Sequence, residues 1–289
     1  MEHLTDRGVI RDLMQRYGFQ FSKAKGQNFI VNPSVCPRIA QAAGLDAHTG
    51  VIEIGAGFGV LTHELALRAG KVVVIEIDQR LLPVLEETLA EHDNVTVLCQ
   101  DVLQVDLAAL IAREFAGMRV VVAANLPYYI TSPILMKLLE ERLPIESITV
   151  MVQKEAAARI TAPLPSRQAG ALTAAVRYYS EPEMVMQVSR GSFFPAPQVD
   201  SSVIRLRLHT DPPVHPKSER AFFHMVRAGF STRRKTLLNC LCASLELEKG
   251  QARALLAAAG LGEQVRAEEL SLADFARLAD LWADFSSKG

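Results

Sequence analysis

Cysteine is scarce in this 289-residue chain, which has only Cys36, Cys99, Cys240 and Cys242. None forms a Cys-x-x-Cys pair or has a histidine at zinc-ligand spacing. A disulfide framework and a zinc-ribbon architecture are therefore excluded; reduced thiols in a cytosol and no metal centre are expected. Long apolar runs are missing too: none approaches the roughly 18 residues that a membrane span requires. Residues 1–18 intersperse Arg7, Arg11 and Arg16 with Glu2, Asp6 and Asp12 and lack an apolar core, so no secretory leader is expected there. Nor is there an excess of one charge. Lys and Arg number 31 against 32 Asp and Glu, for a net charge of −1. That balance excludes coating of nucleic acid by bulk positive charge and confines any RNA contact to a local basic patch. With 49% hydrophobic and 22% charged residues, the chain has the composition of an ordinary soluble protein. Its length suits one large domain plus one small one.

Hydrophobic periodicity organises the chain. Helical spacing covers Thr5–Tyr17, stopped by Gly18, and then Pro33–Ala43, stopped by Gly44. Phe21–Val31 between them reads as a loop. Apolar strand patterns follow at Val51–Ile54, Lys71–Ile77, Val95–Leu98, Arg119–Ala124 and Ser147–Val152. Helical patterns lie between them at Val60–Ala69, Gln79–Glu91, Leu107–Phe115 and from Ser132 to about Glu141, with Ser132 as N-cap and Pro133 in the first turn. Another helix begins at Lys154. This alternation implies a parallel, doubly wound α/β sheet. Beyond Ala175 the pattern reads as strands at Val176–Tyr179, Glu183–Val188 and Ser202–Leu208, the later two suited to antiparallel pairing at the sheet edge. Asp211-Pro212-Pro213 and Pro216 mark a linker, and 217–286 is helical throughout. Two domains are expected, 1–210 and 217–289.

Two loops carry chemistry. Glu53-Ile54-Gly55-Ala56-Gly57-Phe58-Gly59 joins the first strand to its helix. A dinucleotide fingerprint, Gly-x-Gly-x-x-Gly, would need glycine at position 60, where Val60 stands. The third glycine comes one residue early, in the Gly-x-Gly-x-Gly form that suits S-adenosylmethionine and has no diphosphate to hold. Glu76 lies 21 residues after Gly55 at the end of the second strand, where a carboxylate meets a ribose diol. Asp101 follows the third strand. It is placed either to accept from an adenine amino group or, as a turn residue, to cap the next helix. After the fourth strand comes Asn125-Leu126-Pro127-Tyr128. The carboxamide oxygen of Asn125 and the carbonyl of Leu126 can accept hydrogen bonds from an exocyclic amine, and Tyr128 can stack on the ring that bears it. The combination points to methylation of adenine N6. None of the seven histidines has catalytic spacing.

In these motifs the chain resembles the ribosomal RNA adenine dimethyltransferases that act on small-subunit RNA. The match runs through Ser22–Phe29, Glu53–Gly59, Asn125–Tyr128, Met151–Glu155, Gly191–Ser201 and Phe230–Thr236. The resemblance implies a class I, Rossmann-like S-adenosylmethionine-dependent methyltransferase sheet with a small all-helical C-terminal domain. It implies that Asn28, Ile30, Gly55, Glu76, Asp101 and Asn125 bind the cofactor. It also implies transfer of four methyl groups to two adjacent adenosines near the 3′ end of 16S rRNA, within the immature 30S subunit in the cytoplasm. Ala124 and Tyr129 depart from the common glycine and asparagine flanking the tetrapeptide. A 23S rRNA adenine methyltransferase of the antibiotic-resistance kind shares the tetrapeptide and is the nearest alternative. Phe194 is a candidate second face for the stacked base. Arg233, Arg234 and Lys235, with Lys23 and Lys25, are candidate phosphate contacts.

Overall fold

The apolar runs between residues 49 and 153 contain few polar side chains, so as strands they must be covered on both faces. The computed structural model places them in one sheet; it describes residues 4–21 and 28–286. In chain order the first part comprises α1 (Arg7–Arg16), β1 (Phe29–Ile30), α2 (Val35–Ala43), β2 (Thr49–Ile54), α3 (Val60–Ala66), β3 (Lys71–Glu76), α4 (Leu82–Thr88), β4 (Val95–Cys99), α5 (Leu107–Glu114), β5 (Arg119–Asn125), α6 (Thr131–Glu140), β6 (Ser147–Gln153) and α7 (Lys154–Ile160). Then come α8 (Ala171–Tyr179), β7 (Ser180–Val188), β8 (Phe193–Phe194), β9 (Ser201–Leu208), α9 (Glu219–Gly229), α10 (Leu237–Ser244), α11 (Lys249–Ala258) and α12 (Leu272–Ser286).

The seven-stranded sheet has the order β4-β3-β2-β5-β6-β9-β7. The neighbours from β4 to β6 pair in parallel, and β9 joins β6 antiparallel, with Ser147 opposite Arg207 and Gln153 opposite Ser201. The central strands β2 and β5 are buried nearly throughout. From β2 the chain winds outward one way through β3 and β4, then the other way through β5 and β6. The order therefore reverses between β2 and β5, and the crevice beyond their C-terminal ends is where open α/β sheets bind ligands. This is the class I methyltransferase architecture expected from the sequence.

The N-terminal segment closes on this frame. Ile10 and Leu13 of α1 are buried in the core that includes Val51, Val72 and Val121. The Asp6 carboxylate caps α1 by accepting from the Gly8 and Val9 amides. Phe29 and Ile30, read from sequence as loop, instead form β1 and pair with Phe194 and Phe193 of β8. The reason is non-local: two short apolar dipeptides, distant in sequence, each satisfy the other's backbone. Ser22–Gln27, including Lys23 and Lys25, lies outside the described residues.

The chain divides into two compact units, 1–157 with 182–208 and 158–181 with 209–289. The segment 158–181, assigned to the first domain from sequence, thus belongs with the second unit. There the strand expected at Val176–Tyr179 is the end of helix α8. The Thr173 hydroxyl accepts from the Gly170 amide and donates to the Arg159 carbonyl, which starts the helix. Its aromatic end packs within the unit, Tyr179 stacking on Phe223 at 5.2 Å. Packing against α9 outweighs the strand preference of Val176, Tyr178 and Tyr179. Two helix starts also shift. Residues 79–81 form a 3-10 turn before α4. Helix α6 begins at Thr131 without a side-chain cap, so Ser132 lies inside it rather than at its N-cap. No helix of the described residues is long and apolar enough to cross a membrane.

Gly50, the second residue of β2, is pinned by α5's neighbour Phe115: a Cβ at Gly50 would fall 2.2 Å from that ring. Gly50→Ala should therefore lower stability by about 1–3 kcal/mol, the usual cost of overpacking. Thermal unfolding of the variant beside the parent measures this, and an unchanged midpoint would show that Phe115 moves freely.

Candidate active site

The backbone of the glycine loop is left-handed at all three glycines, with φ of +77° at Gly55, +59° at Gly57 and +84° at Gly59. Side chains other than glycine adopt this region at a cost. Gly57 is constrained a second time, because a Cβ there would press on the Phe29 ring at 3.0 Å. At Gly55 a Cβ would meet nothing within 4 Å, so space is open on that side of the loop. The loop is held from outside by aromatic packing. Phe58 stacks on Phe29 with centroids 4.2 Å apart, and Phe19 meets both rings edge-on. Folding the loop therefore also places Asn28 and Ile30 at its side.

The pocket beyond the sheet's C-terminal edge is lined by Asn28, Ile30, Glu53, Gly55, Glu76, Asp101, Asn125, Leu126 and Tyr128, among others. Every residue expected to bind the cofactor, and all three expected to act on the target base, thus meet in one cavity of the first unit. Glu76 is buried at the end of β3. Its carboxylate accepts from the Asp78 amide at 2.8 Å and from the Gly57 amide at 3.4 Å, tying strand end to glycine loop. Burial pushes its pKa up, against the pull of these hydrogen bonds. Asp101 lines the pocket, and its Oδ1 accepts from the Leu103 amide at 2.9 Å; the cap of the next helix, α5, is Asp106 rather than Asp101.

Asn125 is the last residue of β5, opposite Met151 of β6, and the Leu126 amide donates to the Met151 carbonyl. The next residues turn at once. Tyr128–Ile130 make one 3-10 turn, and the Pro127 carbonyl accepts from the Ile130 amide and the Thr131 hydroxyl. The Tyr128 hydroxyl lies 2.7 Å from the hydroxyl of Ser201, a fully buried residue at the start of β9. Burial raises the Tyr128 pKa, and the Ser201 contact lowers it in part. The ring is thereby fixed at its far end, as an aromatic platform requires. Tyr129 also lines the pocket but is 60% exposed.

Sequence reasoning gave Glu53 no role, yet it is the most perturbed acid of the site. It is 1% exposed and lines the pocket, and among the described residues neither carboxyl oxygen has a hydrogen-bond partner. Burial drives its pKa to about 8; the nearby Thr62 hydroxyl, itself without a well-formed bond, pulls it down, and the Glu76 charge raises it further. The signal was present in the sequence as the one carboxylate within the apolar run Val51–Ile54.

Two sets of expected RNA contacts are not among the residues that line this pocket. Phe194 does not line the pocket. Its ring meets Phe21 edge-on at 5.4 Å, with the Arg11 and Arg7 guanidiniums over it at 5.6 and 6.0 Å. The pairing of β8 with β1 draws it into the aromatic cluster instead. Arg233, Arg234 and Lys235 are exposed in the turn between α9 and α10 of the second unit, where the Arg233 guanidinium donates to the Arg167 carbonyl.

Comparison with known proteins agrees with this geometry. The profile of the family described as "Ribosomal RNA adenine dimethylase" matches residues 18–284. The chain is 50% identical over 278 residues to the ribosomal RNA small subunit methyltransferase A of Geobacillus thermodenitrificans, covering 94% of each chain. It is 48% identical to the protein of that name from Geobacillus kaustophilus, covering 97% of each. Among solved structures it is similar to a dimethyladenosine transferase from Plasmodium falciparum, with a TM-score of 0.72 and 26% identity, covering 90% of this chain and 98% of that one. It is also similar to the 23S rRNA methyltransferase ErmE, with a TM-score of 0.65 and 28% identity over 88% of this chain and 99% of that one. The chain belongs to the ribosomal RNA adenine dimethylase family.

Proposed function

We propose that this enzyme transfers methyl groups from S-adenosylmethionine to N6 of two adjacent adenosines near the 3′ end of 16S rRNA, two to each, in the immature 30S subunit. The observation that carries the reading is that the glycine loop after β2 and Asn125-Leu126-Pro127-Tyr128 after β5 open into one pocket. The residues fit the cofactor. The Gly55 backbone leaves open space, and the Glu76 carboxylate, fixed by two amides, suits a ribose diol. Asp101 suits an adenine amino group, and the orphaned Glu53 carboxyl suits a cationic ammonium.

S-adenosylmethionine, when bound, supplies the sulfonium methyl group. The protein's own residues prepare the acceptor. The N6 lone pair of adenine is conjugated with the ring and weakly nucleophilic. Hydrogen bonds from the amine to the Asn125 carboxamide oxygen and the Leu126 carbonyl draw the nitrogen towards tetrahedral geometry and localise the lone pair. Tyr128, anchored through Ser201, stacks on the base, a contact worth roughly 1–3 kcal/mol. The base must leave its stack to enter the pocket. Positioning and fixed dipoles supply the acceleration. The nitrogen becomes strongly acidic on methylation, so no general base is needed beforehand. Arg233, Arg234 and Lys235 of the helical second unit position the RNA through its phosphates rather than read its sequence.

Methyl transfer to undermethylated 30S subunits, with N6,N6-dimethyladenosine mapped by mass spectrometry, tests this function. Two adjacent modified adenosines near the 3′ end are expected. Transfer by folded protein to 23S rRNA instead, or none to 16S rRNA, would overturn it.

Glu53 makes a second, independent test. With its pKa at about 8, Glu53 is mostly protonated at pH 7 in the free enzyme. A cation placed beside it restores ionisation, so cofactor binding should release close to one proton at pH 7. Affinity should rise as pH climbs towards 8. Calorimetry in buffers of different ionisation enthalpy measures the proton, and Glu53→Gln should abolish its release. The raised acid favours folding below its unfolded value near 4.5, and that contribution disappears as pH rises through about 8. The ligand-free Gln variant should therefore gain in melting temperature over the parent between pH 5 and 8. Unchanged proton release in the variant would place the cation elsewhere.

A further inference from the structure

Away from the pocket, His63, Glu91 and His92 bring three metal-ligating atoms together. His63 sits on α3, and Glu91 and His92 lie just beyond α4. The His63 Nδ1 is 2.8 Å from the His92 Nε2, the Glu91 Oε1 is 3.4 Å from the former, and it is 3.8 Å from the latter. A tetrahedral zinc ion with bonds of about 2.0–2.1 Å sets its ligand atoms roughly 3.3 Å apart. The three separations bracket that edge, so the atoms already outline one face of a zinc tetrahedron.

The framework around them is fixed. The imidazole of His92 is 7% exposed and that of His63 17%. The His92 amide donates to the Leu89 carbonyl and the His63 amide to the Gly59 carbonyl. The two segments touch where α3 begins: a Cβ on Gly59 would lie 3.0 Å from Leu89 and 3.1 Å from Thr88. Closing a metal on this face thus needs a small adjustment of side chains rather than of backbone. Two imidazoles and one carboxylate form a donor set for a borderline divalent ion and leave a fourth position for water.

We propose that His63, Glu91 and His92 form a zinc-binding site that clasps α3, the helix opened by the glycine loop, to the end of α4. Without metal, the two imidazoles share a hydrogen bond in the same place. Sequence spacing gave no sign of it, because the histidines lie 29 residues apart and no cysteine takes part. The clasp lies outside the catalytic pocket, so it acts on the rigidity of the cofactor loop and not on the chemistry.

The test is calorimetric titration of the full-length, chelator-stripped, reduced protein with zinc sulfate, beside thermal unfolding with and without the metal. One equivalent should bind, and the melting temperature should rise. His63→Gln and Glu91→Gln, each checked for native circular dichroism, should weaken binding by at least about tenfold. A Cys99→Ser, Cys242→Ser variant should bind as the parent does, because thiols are not ligands. Cobalt(II) in place of zinc should give visible bands of a nitrogen–oxygen site without a thiolate charge-transfer band. Absence of stoichiometric binding, binding undiminished in both Gln variants, or loss of binding in the cysteine variant would overturn the site.

Discussion

The parallel pairing of β2 with β5 is the constraint on which the site depends. Five residue pairs join the strands, from Thr49 opposite Arg119 to Glu53 opposite Ala123. Both strands are buried on both faces, so the pairing is specified by close packing of Val51, Ile52, Val121 and Val122. A slip of one residue would reverse every side chain and carry Glu53 away from the pocket. With the register fixed, two loops far apart in sequence leave the sheet side by side. One supplies open backbone around glycine, the other a carboxamide and a ring, and both line one crevice.

The surrounding structure holds these loops without filling the space between them. Phe58 and Phe29 stack outside the glycine loop, and Glu76 accepts from the Gly57 amide inside it. Ser201 holds the hydroxyl of Tyr128. Glu53 departs from this pattern of satisfied groups, since its buried carboxyl has no partner among the described residues and is held largely neutral. A polar group buried without a hydrogen bond costs stability. The cost is retained where a cationic ligand would offset it, a common relation between strain and function.

Much of this was legible in the sequence, for identifiable physical reasons. The parallel strands are continuous apolar runs because both faces are covered. Three of them lead into residues that line the pocket, with Glu76 ending β3, Asn125 ending β5 and Asp101 shortly after β4. Periodicity failed where distant contacts decide. Phe29 and Ile30 become a strand only through Phe193 and Phe194. Val176–Tyr179 has strand-like side chains but completes a helix, because Tyr179 stacks on Phe223. The isolation of Glu53 cannot be read from a motif at all, since it depends on which neighbours fail to reach it.

The central claim is that the carboxamide at the end of β5 acts on the acceptor amine while the glycine loop and strand-end acids hold the donor. Asn125→Ala separates the two most directly, by single-turnover methyl transfer measured beside the dissociation constant for S-adenosylmethionine. The account predicts a fall in turnover of at least about a hundredfold with cofactor affinity changed by less than about tenfold, or roughly 1.4 kcal/mol. Loss of cofactor binding in proportion to turnover would contradict it and make Asn125 chiefly a cofactor ligand.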